Sequence, residues 1–306
     1  MSDALPVLFF DRPLPDEFRD LVDGRAVAVG PDDADLPLAD AVVAGMRRWD
    51  AAAMAGGSRL RVISRVGVGY DTVDVEAATA AGITVCYAPA APTVSTAEHT
   101  VALMLSVTKG LAASQARAAE GLTGGPATGL ELDGRVLGLV GYGRIARRVA
   151  TVGAALGMDV VAFDPLLTES DGVARPVSLD ELWSVSDVVS LHAPALPSTR
   201  HVVNAETLAT MQPGSYLVNC ARGALVDHDA LLDALDRGQL AGAGLDVTDP
   251  EPLPVGHPLL SHPGVVVTPH VASGTRIGRR RLYQHAIEHA LATLAGTPTS
   301  VVPEQC

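Results

Sequence analysis

Short apolar runs with strand-like spacing alternate, along the whole chain, with stretches whose apolar residues recur every three to four positions. The first half holds PVLFF (6–10), AVAV (26–29), ADAVVAGM (39–46), LRVISRV (60–66) and ITVCY (83–87), with a helical pattern at 73–82. From position 136 the alternation resumes with VLGLV (136–140), DVVAF (159–163), SDVVSLHA (186–193), SYLVNCA (215–221), LAGAGLDV (240–247) and GVVVTPH (264–270). Helical patterns at 178–185, 205–211 and 227–238 lie between these runs. Strands alternating with helices predict an α/β fold, in which parallel sheets carry helices on both faces. Eleven strand-like runs are too many for one sheet, so the pattern predicts two doubly wound parallel-sheet domains.

The stretch STAEHTVALMLSVTKGL (95–111) reads as one long helix joining the domains, and GLTGGPATG (121–129) as a loop or arm. The last helical pattern, about 274–295, is longer than the second domain needs and is expected to cross back to the first.

Composition narrows the function. The chain has 306 residues, 48% of them hydrophobic, enough for two cores. Its formal charge is −13 with a pI near 5.0, which repels nucleic acid. The run Arg279-Arg280-Arg281 falls in a helical pattern and reads as a solvated face. The start, MSDALPVLFF, lacks the pattern of a secretion signal, and no apolar run approaches the length of a membrane span. Cys86, Cys220 and Cys306 form no CxxC pair. They point to a reducing cytoplasm, away from a disulfide framework or a cysteine-bound metal. Lys109 is the only lysine, so Schiff-base chemistry would have to use it, and no phosphate loop of the GxxxxGK type exists.

The run VLGLV opens into Gly141-Tyr142-Gly143-Arg144-Ile145-Ala146 and then a helical pattern. In a strand–turn–helix of this kind the first glycine makes the turn and the second lets backbone approach a pyrophosphate at the helix N-terminus. The third position needs only a small residue, so Ala146 is admissible. Asp164 follows Gly143 by 21 positions, at the end of DVVAFD, where an acidic residue binds the adenosine ribose hydroxyls. A carboxylate there repels a 2′-phosphate and selects NAD over NADP.

Three polar residues each follow a strand-like run of the second half: Arg222 after SYLVNCA, Glu251 after LAGAGLDV, and His270 after GVVVTP. Ligands of parallel sheets collect at strand carboxyl ends. There an arginine fork holds a carboxylate, an imidazole moves a proton, and a carboxylate beside the imidazole favours its charged form.

With these motifs in order, the chain resembles the D-isomer-specific 2-hydroxyacid dehydrogenases over nearly its whole length. The matching stretches are SRVGVGYDTVD (64–74), TAEHTVALML (96–105), LVGYGRIARRVA (139–150), LHAPALPSTR (191–200), NCARGALVD (219–227), AGLDVTDPEPL (243–253) and TPHVAS (268–273). The resemblance implies a flavodoxin-like substrate domain, 1–97 plus 288–306, with an inserted Rossmann NAD-binding domain, 98–287. It implies Arg222 as carboxylate and carbonyl binder, His270 as acid/base and Glu251 as its partner. Cofactor contacts are implied at Gly141, Gly143, Arg144, Ile145, Asp164, His192, Pro194, Thr199, Cys220, Ala221 and Asp246. Val66 and Gly67, with Val68 and Gly69 beyond, match a loop whose backbone N–H groups receive the substrate carboxylate.

The implied protein is a cytoplasmic, NAD-dependent oxidoreductase of small 2-oxo and 2-hydroxy acids. It is a homodimer without metal, membrane or nucleic-acid partners, and no regulatory domain is expected to follow. Leu122 stands where many members carry a tryptophan in an arm against the second subunit. DVTDPEPLPVGHPLL (246–260) is similar to glyoxylate/hydroxypyruvate reductases. Arg65 is similar to a phosphoglycerate dehydrogenase arginine that meets a second substrate anion; pointing outward, it is a surface charge instead. Two alternatives keep the fold: an NAD-sensing, corepressor-like binding protein, and a formate- or phosphite-type dehydrogenase.

Overall fold

The computed structural model describes residues 4–125 and 129–306. Its strands are β1 (Val7–Phe10), β2 (Val27–Val29), β3 (Ala41–Ala44), β4 (Val62–Arg65), β5 (Thr84–Cys86), β6 (Val136–Val140), β7 (Asp159–Phe163), β8 (Ala174–Pro176), β9 (Val188–Leu191), β10 (Ser215–Asn219), β11 (Leu240–Leu245) and β12 (Val265–Val267). Its α-helices are α1 (Ala51–Ala55), α2 (Val75–Ala80), α3 (Thr93–Thr108), α4 (Leu111–Ala119), α5 (Arg144–Ala155), α6 (Leu179–Val185), α7 (Ala205–Thr210), α8 (His228–Asp236) and α9 (Arg276–Leu294). They form two compact units: the residues up to Thr93 with Gly274–Cys306, and Val94–Ser273. The expected boundaries at 97/98 and 287/288 fall inside α3 and α9, whereas the observed division keeps α9 whole and all but the first residue of α3 in one unit.

In the first unit the sheet order is β2-β1-β3-β4-β5, all parallel, the flavodoxin-like arrangement. Side chains alternate between its faces as a pleated strand requires. Phe9, Val42, Ile63 and Val85 pack on one side with Trp49, Met54 of α1 and Ala78 of α2. Leu8, Phe10, Val43, Val62 and Cys86 pack on the other with Ala286, Ile287 and Ala290 of α9. That packing is why the last helix belongs with the first strands. Its basic run lies on a solvated face, as expected, and its arginines make surface contacts there. Arg280 pairs with Asp20, Arg276 lies 3.9 Å from Glu17, and the Arg279 guanidinium sits 5.8 Å from the Phe18 ring centroid.

In the second unit the order is β12-β11-β10-β9-β6-β7-β8, again all parallel. Counted from β6, this is the 3-2-1-4-5-6 order of dinucleotide-binding sheets with one further strand. One face packs Val189, Leu217 and Leu245 against Leu182 and Trp183 of α6, Leu208 of α7 and Leu231 of α8. The opposite face packs Leu137, Leu139, Val160 and Val218 against Leu103 and Met104 of α3 and Ala146, Val149 and Ala150 of α5.

The helix expected over 95–111 ends at Thr108, and the chain turns at Lys109–Gly110 into the separate helix α4. Strand β8 gave no sequence signal, because ARP is three residues long and ends in proline, admissible only on the sheet edge that it occupies. Of the loop expected over 121–129, residues 126–128 lie outside the described residues. Among the described residues no helix is long and apolar enough to cross a membrane.

Leu217 is fully buried in β10, between β9 and β11. Leu217→Ala is expected to destabilise the second unit by about 2–5 kcal/mol through the lost burial and the cavity left. Chemical denaturation of the two proteins measures the difference.

Candidate active site

Because every strand of the second sheet is parallel, every chain exit after a strand lies at one edge, and that edge carries the candidate residues. Gly141–Ile145 follow β6, Asp164 follows β7, His192, Pro194 and Thr199 follow β9, and Cys220–Arg222 follow β10. Asp246 and Glu251 follow β11, and His270 follows β12. The order reverses between β6 and β9, where an open parallel sheet forms its ligand crevice. At that point the two exits nearly touch. A Cβ on Gly141 would stand 2.8 Å from the His192 carbonyl carbon and 2.9 Å from the Ala193 nitrogen, and its φ is +90°. Only glycine satisfies both conditions.

Gly143 is different: a Cβ there would meet nothing within 4 Å. The protein leaves that space open just where α5 begins. No side chain caps α5, and no acidic residue lies in its first turn, so its leading N–H groups face the opening. This open, electropositive cradle fits a pyrophosphate. Ala146 is fully buried in the core beneath, as its small size requires.

Asp164 braces the same turn. One carboxylate oxygen accepts the Tyr142 N–H at 2.7 Å and the other the Leu166 N–H at 2.9 Å, leaving each oxygen further lone pairs for a diol. Tyr142 fixes the turn from below. Its hydroxyl donates to Asp171 at 2.9 Å, and the Arg147 guanidinium lies 4.5 Å from its ring centroid. Burial, with the Asp171 charge, pushes the Tyr142 hydroxyl up to about 12. Asp171 accepts the Val173 and Ala174 N–H groups and is held below the usual carboxylate range, first by the Ala174 N–H. Sequence reasoning missed this brace, since nothing in the spacing links 142, 147 and 171.

On the β9 exit, Thr199 Oγ1 accepts the Leu196 N–H at 2.8 Å and donates to the Pro194 carbonyl at 2.7 Å, closing the loop. His192 Nε2 lies 3.0 Å from Ser190 Oγ, and burial lowers its pKa to about 4, so the imidazole is neutral near pH 7.

His270 Nδ1 lies 2.6 Å from Glu251 Oε1, so the pair anticipated from the sequence exists. With Nδ1 engaged by the carboxylate, Nε2 is the ring atom left to exchange a proton. His270 has φ +52°, a left-handed conformation costing on the order of 1–3 kcal/mol for a non-glycine residue. Arg222 leaves β10 beside this pair's loop. A Cβ on Gly223 would fall 2.0 Å from the Thr248 carbonyl group, so backbone packs on backbone there. The Arg222 carbonyl accepts from Asn219 Nδ2 at 2.9 Å, and its Nη1 donates to the Ala221 carbonyl at 2.7 Å.

In the first unit, Arg65 ends β4 and is buried, which removes the surface-charge alternative. Its Nε donates to the Gly69 carbonyl at 2.9 Å and its Nη1 to the Ala44 carbonyl at 2.8 Å, so it holds the 66–69 loop from beneath. One detail of the loop differs from expectation. The Val66 N–H continues the sheet by donating to the Ala44 carbonyl at 2.9 Å, so Val66 does not offer its N–H to a ligand. Val68 is exposed at the loop's crest. Among the described residues no cluster of three or more His, Cys, Asp or Glu side chains could hold a metal ion.

Comparison with known proteins gives a consistent picture. The family model for the D-isomer specific 2-hydroxyacid dehydrogenase, NAD binding domain, matches residues 101–272. A hydroxypyruvate reductase of Thermotoga maritima is 38% identical over 250 residues, covering 81% of this chain and 82% of the relative. A D-3-phosphoglycerate dehydrogenase of Bacillus subtilis is 37% identical over 243 residues, covering 78% of this chain and 46% of the relative. The chain spans about half the length of the D-3-phosphoglycerate dehydrogenases it matches. The crystal structure of a glyoxylate reductase from Paecilomyes thermophila covers all of both chains with a TM-score of 0.89 at 28% identity.

The three thiols differ in environment. Cys306 is exposed, burial raises the Cys86 thiol, and burial pushes Cys220 up to about 12, with the Asp246 charge adding to it and a Thr100 hydrogen bond opposing it. Since thiolate is the nucleophile, iodoacetamide at about pH 8 is expected to alkylate Cys306 while Cys86 and Cys220 stay intact until denaturant is added. Peptide mapping by mass spectrometry reads the three sites separately, and fast alkylation of native Cys220 would contradict the assignment.

Proposed function

The chain belongs to the D-isomer-specific 2-hydroxyacid dehydrogenase family, and we propose that it interconverts a small 2-oxo acid and its D-2-hydroxy acid with NAD(H). The observation that carries this reading is the 2.6 Å contact of His270 and Glu251 on the sheet edge that also bears the Gly141 turn and Asp164. Bound NAD(H) supplies hydride donation and acceptance at its nicotinamide ring. The chain's own residues do the rest. Gly143 and the start of α5 receive the pyrophosphate, and Asp164 binds the adenosine ribose hydroxyls and repels a 2′-phosphate. Arg144, Ile145, His192, Pro194, Thr199, Cys220 and Ala221 complete the cofactor contacts, whereas Asp246, expected among them, is buried with its carboxylate oxygens holding the Thr268 hydroxyl and the 271 and 272 N–H groups.

Arg222 holds the substrate carboxylate and carbonyl oxygen through its guanidinium fork. His270 Nε2 donates a proton to the carbonyl oxygen during reduction and takes it back in oxidation. Glu251 holds Nδ1, which orients the ring and stabilises its charged form. In the first unit, we assign the backbone N–H groups beyond Val66, through Gly67, Val68 and Gly69, to a substrate carboxylate, with Arg65 as the brace of that loop. The reading includes a cytoplasmic homodimer. A groove of about 570 Å³ in the second unit, lined by Val94, Ala97, Val101 and Val152 together with Glu98, Arg147, Arg148 and Thr151, offers apolar and charged surface for a second copy to cover.

Purified protein assayed with NADH against glyoxylate, hydroxypyruvate and pyruvate tests the activity. Turnover of none of them, with tight NADH binding, would favour a binding role instead. In the active wild type, Arg222→Ala is expected to lower kcat/KM by about 10²-fold or more, from lost charge-assisted hydrogen bonds of roughly 1.5–3 kcal/mol each. Arg222→Lys should lose less. His270→Ala is expected to lower kcat by about 10²–10⁴ with NADH affinity nearly intact.

Cofactor choice is tested separately. Asp164→Ala is expected to weaken NADH binding and to narrow the preference over NADPH. Titration of both nucleotides by fluorescence measures it, and a wild type that prefers NADPH would refute the role given to this carboxylate.

A further inference from the structure

The buried carboxylate behind His270 has partners that the reaction does not explain. Asp246 is 1% exposed. Its Oδ2 accepts the Ala272 N–H at 2.8 Å. Its Oδ1 accepts the Val271 N–H at 2.9 Å and the Thr268 hydroxyl at 2.6 Å. Its carbonyl oxygen accepts the His270 N–H at 2.8 Å. One residue thus holds three successive N–H groups through the left-handed turn at His270.

A carboxylate so deeply buried needs several hydrogen-bond donors at once. His99, on the face of α3, adds one more at its edge. Its Nε2 lies 3.0 Å from Thr268 Oγ1 and 3.4 Å from Asp246 Oδ1. The proton count is decisive. Thr268 has one hydroxyl hydrogen and gives it to Asp246, so toward His99 it can only accept. His99 Nε2 therefore carries a proton and points it at the Thr268–Asp246 pair. The chain His99 Nε2–H to Thr268 Oγ1–H to Asp246 Oδ1 is polarised in one direction, each bond strengthening the next.

We propose that His99 and Thr268 are positioning residues that lock the Asp246 carboxylate against the backbone on both sides of His270, and so hold the acid/base imidazole where it works. The positioning of an acid/base group rests on the function proposed above; the backbone lock does not. Loss of the Thr268 hydroxyl leaves Asp246 with one fewer donor and removes the 3.0 Å link through which His99 reaches it, and the 270–272 turn loosens. The consequence is a fall in kcat with little change in KM, because Arg222 is untouched.

The test compares Thr268→Val, Thr268→Ser and His99→Leu with wild type by amide hydrogen exchange over 268–273 and by steady-state kinetics. Thr268→Val is expected to speed exchange at Val271 and Ala272 by about tenfold or more, the factor that accompanies loss of a charge-assisted hydrogen bond. The kcat should fall by a similar factor while KM stays within about twofold. Thr268→Ser, which keeps the hydroxyl, should restore both. His99→Leu changes a partly exposed helix position and should move both readouts in the same direction without global unfolding. Wild-type exchange at 271 and 272 in Thr268→Val or in His99→Leu would overturn the proposal, as would equal loss in Thr268→Ser and Thr268→Val. If exchange responds as described but no 2-oxo acid is turned over by wild type, the lock stands and the function proposed above fails.

Discussion

Parallel strand pairing in the second sheet is the constraint on which the site depends. Seven strands run in one direction, so seven carboxyl ends meet one edge. Residues separated by more than a hundred positions then become neighbours without any long-range sequence signal of their own. The same pairing demands a crossover after every strand, and those crossovers cover the faces with helices and leave the edge free. Chemistry collects at the edge because the backbone there has stopped pairing. Its N–H groups are free to hold a phosphate at Gly143 or a carboxylate at 271 and 272.

The two units use a common device with opposite signs. In the first, the buried cation Arg65 sits beneath a loop and ties the loop's Gly69 carbonyl to the Ala44 carbonyl at the end of β3. In the second, the buried anion Asp246 sits beneath a turn and binds its N–H groups. A charge removed from water must be satisfied by many dipoles at once. A loop that satisfies it gives up conformational freedom in return. Each charge therefore turns a flexible strand exit into a rigid one. Substitution of either by a neutral isostere would remove the reason for the loop to keep its shape.

Eleven of the twelve strands among the described residues and the two-domain division were legible, because apolar runs such as DVVAF and SYLVNCA reflect burial on both faces. The glycine turn, Asp164 and the Glu251–His270 contact were legible through spacing, since each lies at a fixed distance from a strand end. What escaped had no local pattern. Strand β8 is too short and too polar for periodicity. The Tyr142–Asp171–Arg147 brace and the approach of His99 to Thr268 and Asp246 arise where helices and loops pack over the sheet. The α9 arginines are solvated as expected, but their partners, Asp20, Glu17 and Phe18, escaped because they lie more than 250 positions away. The Val66 N–H looked available because the sequence does not say where β4 stops pairing with β3.

Exposure separates the two carboxylates near His270 by purpose. Glu251 and His270 are each about one-third exposed, at 35% and 33%. Water competes with a contact so exposed, and its contribution to folding is small. The pair therefore matters for orientation: the contact holds Nδ1 and leaves Nε2 the ring nitrogen not engaged by Glu251. Asp246, at 1% exposure, is shut off from solvent, and its oxygens are already occupied by N–H and O–H donors. It anchors the backbone while Glu251 aims the ring. An acid/base group must be both accessible to water or substrate and fixed in position, and these demands conflict for any single contact. Dividing them between an exposed partner on the ring and a buried partner on the main chain resolves the conflict. The left-handed turn at His270 is the conformation in which its own N–H and the next two all reach the same aspartate.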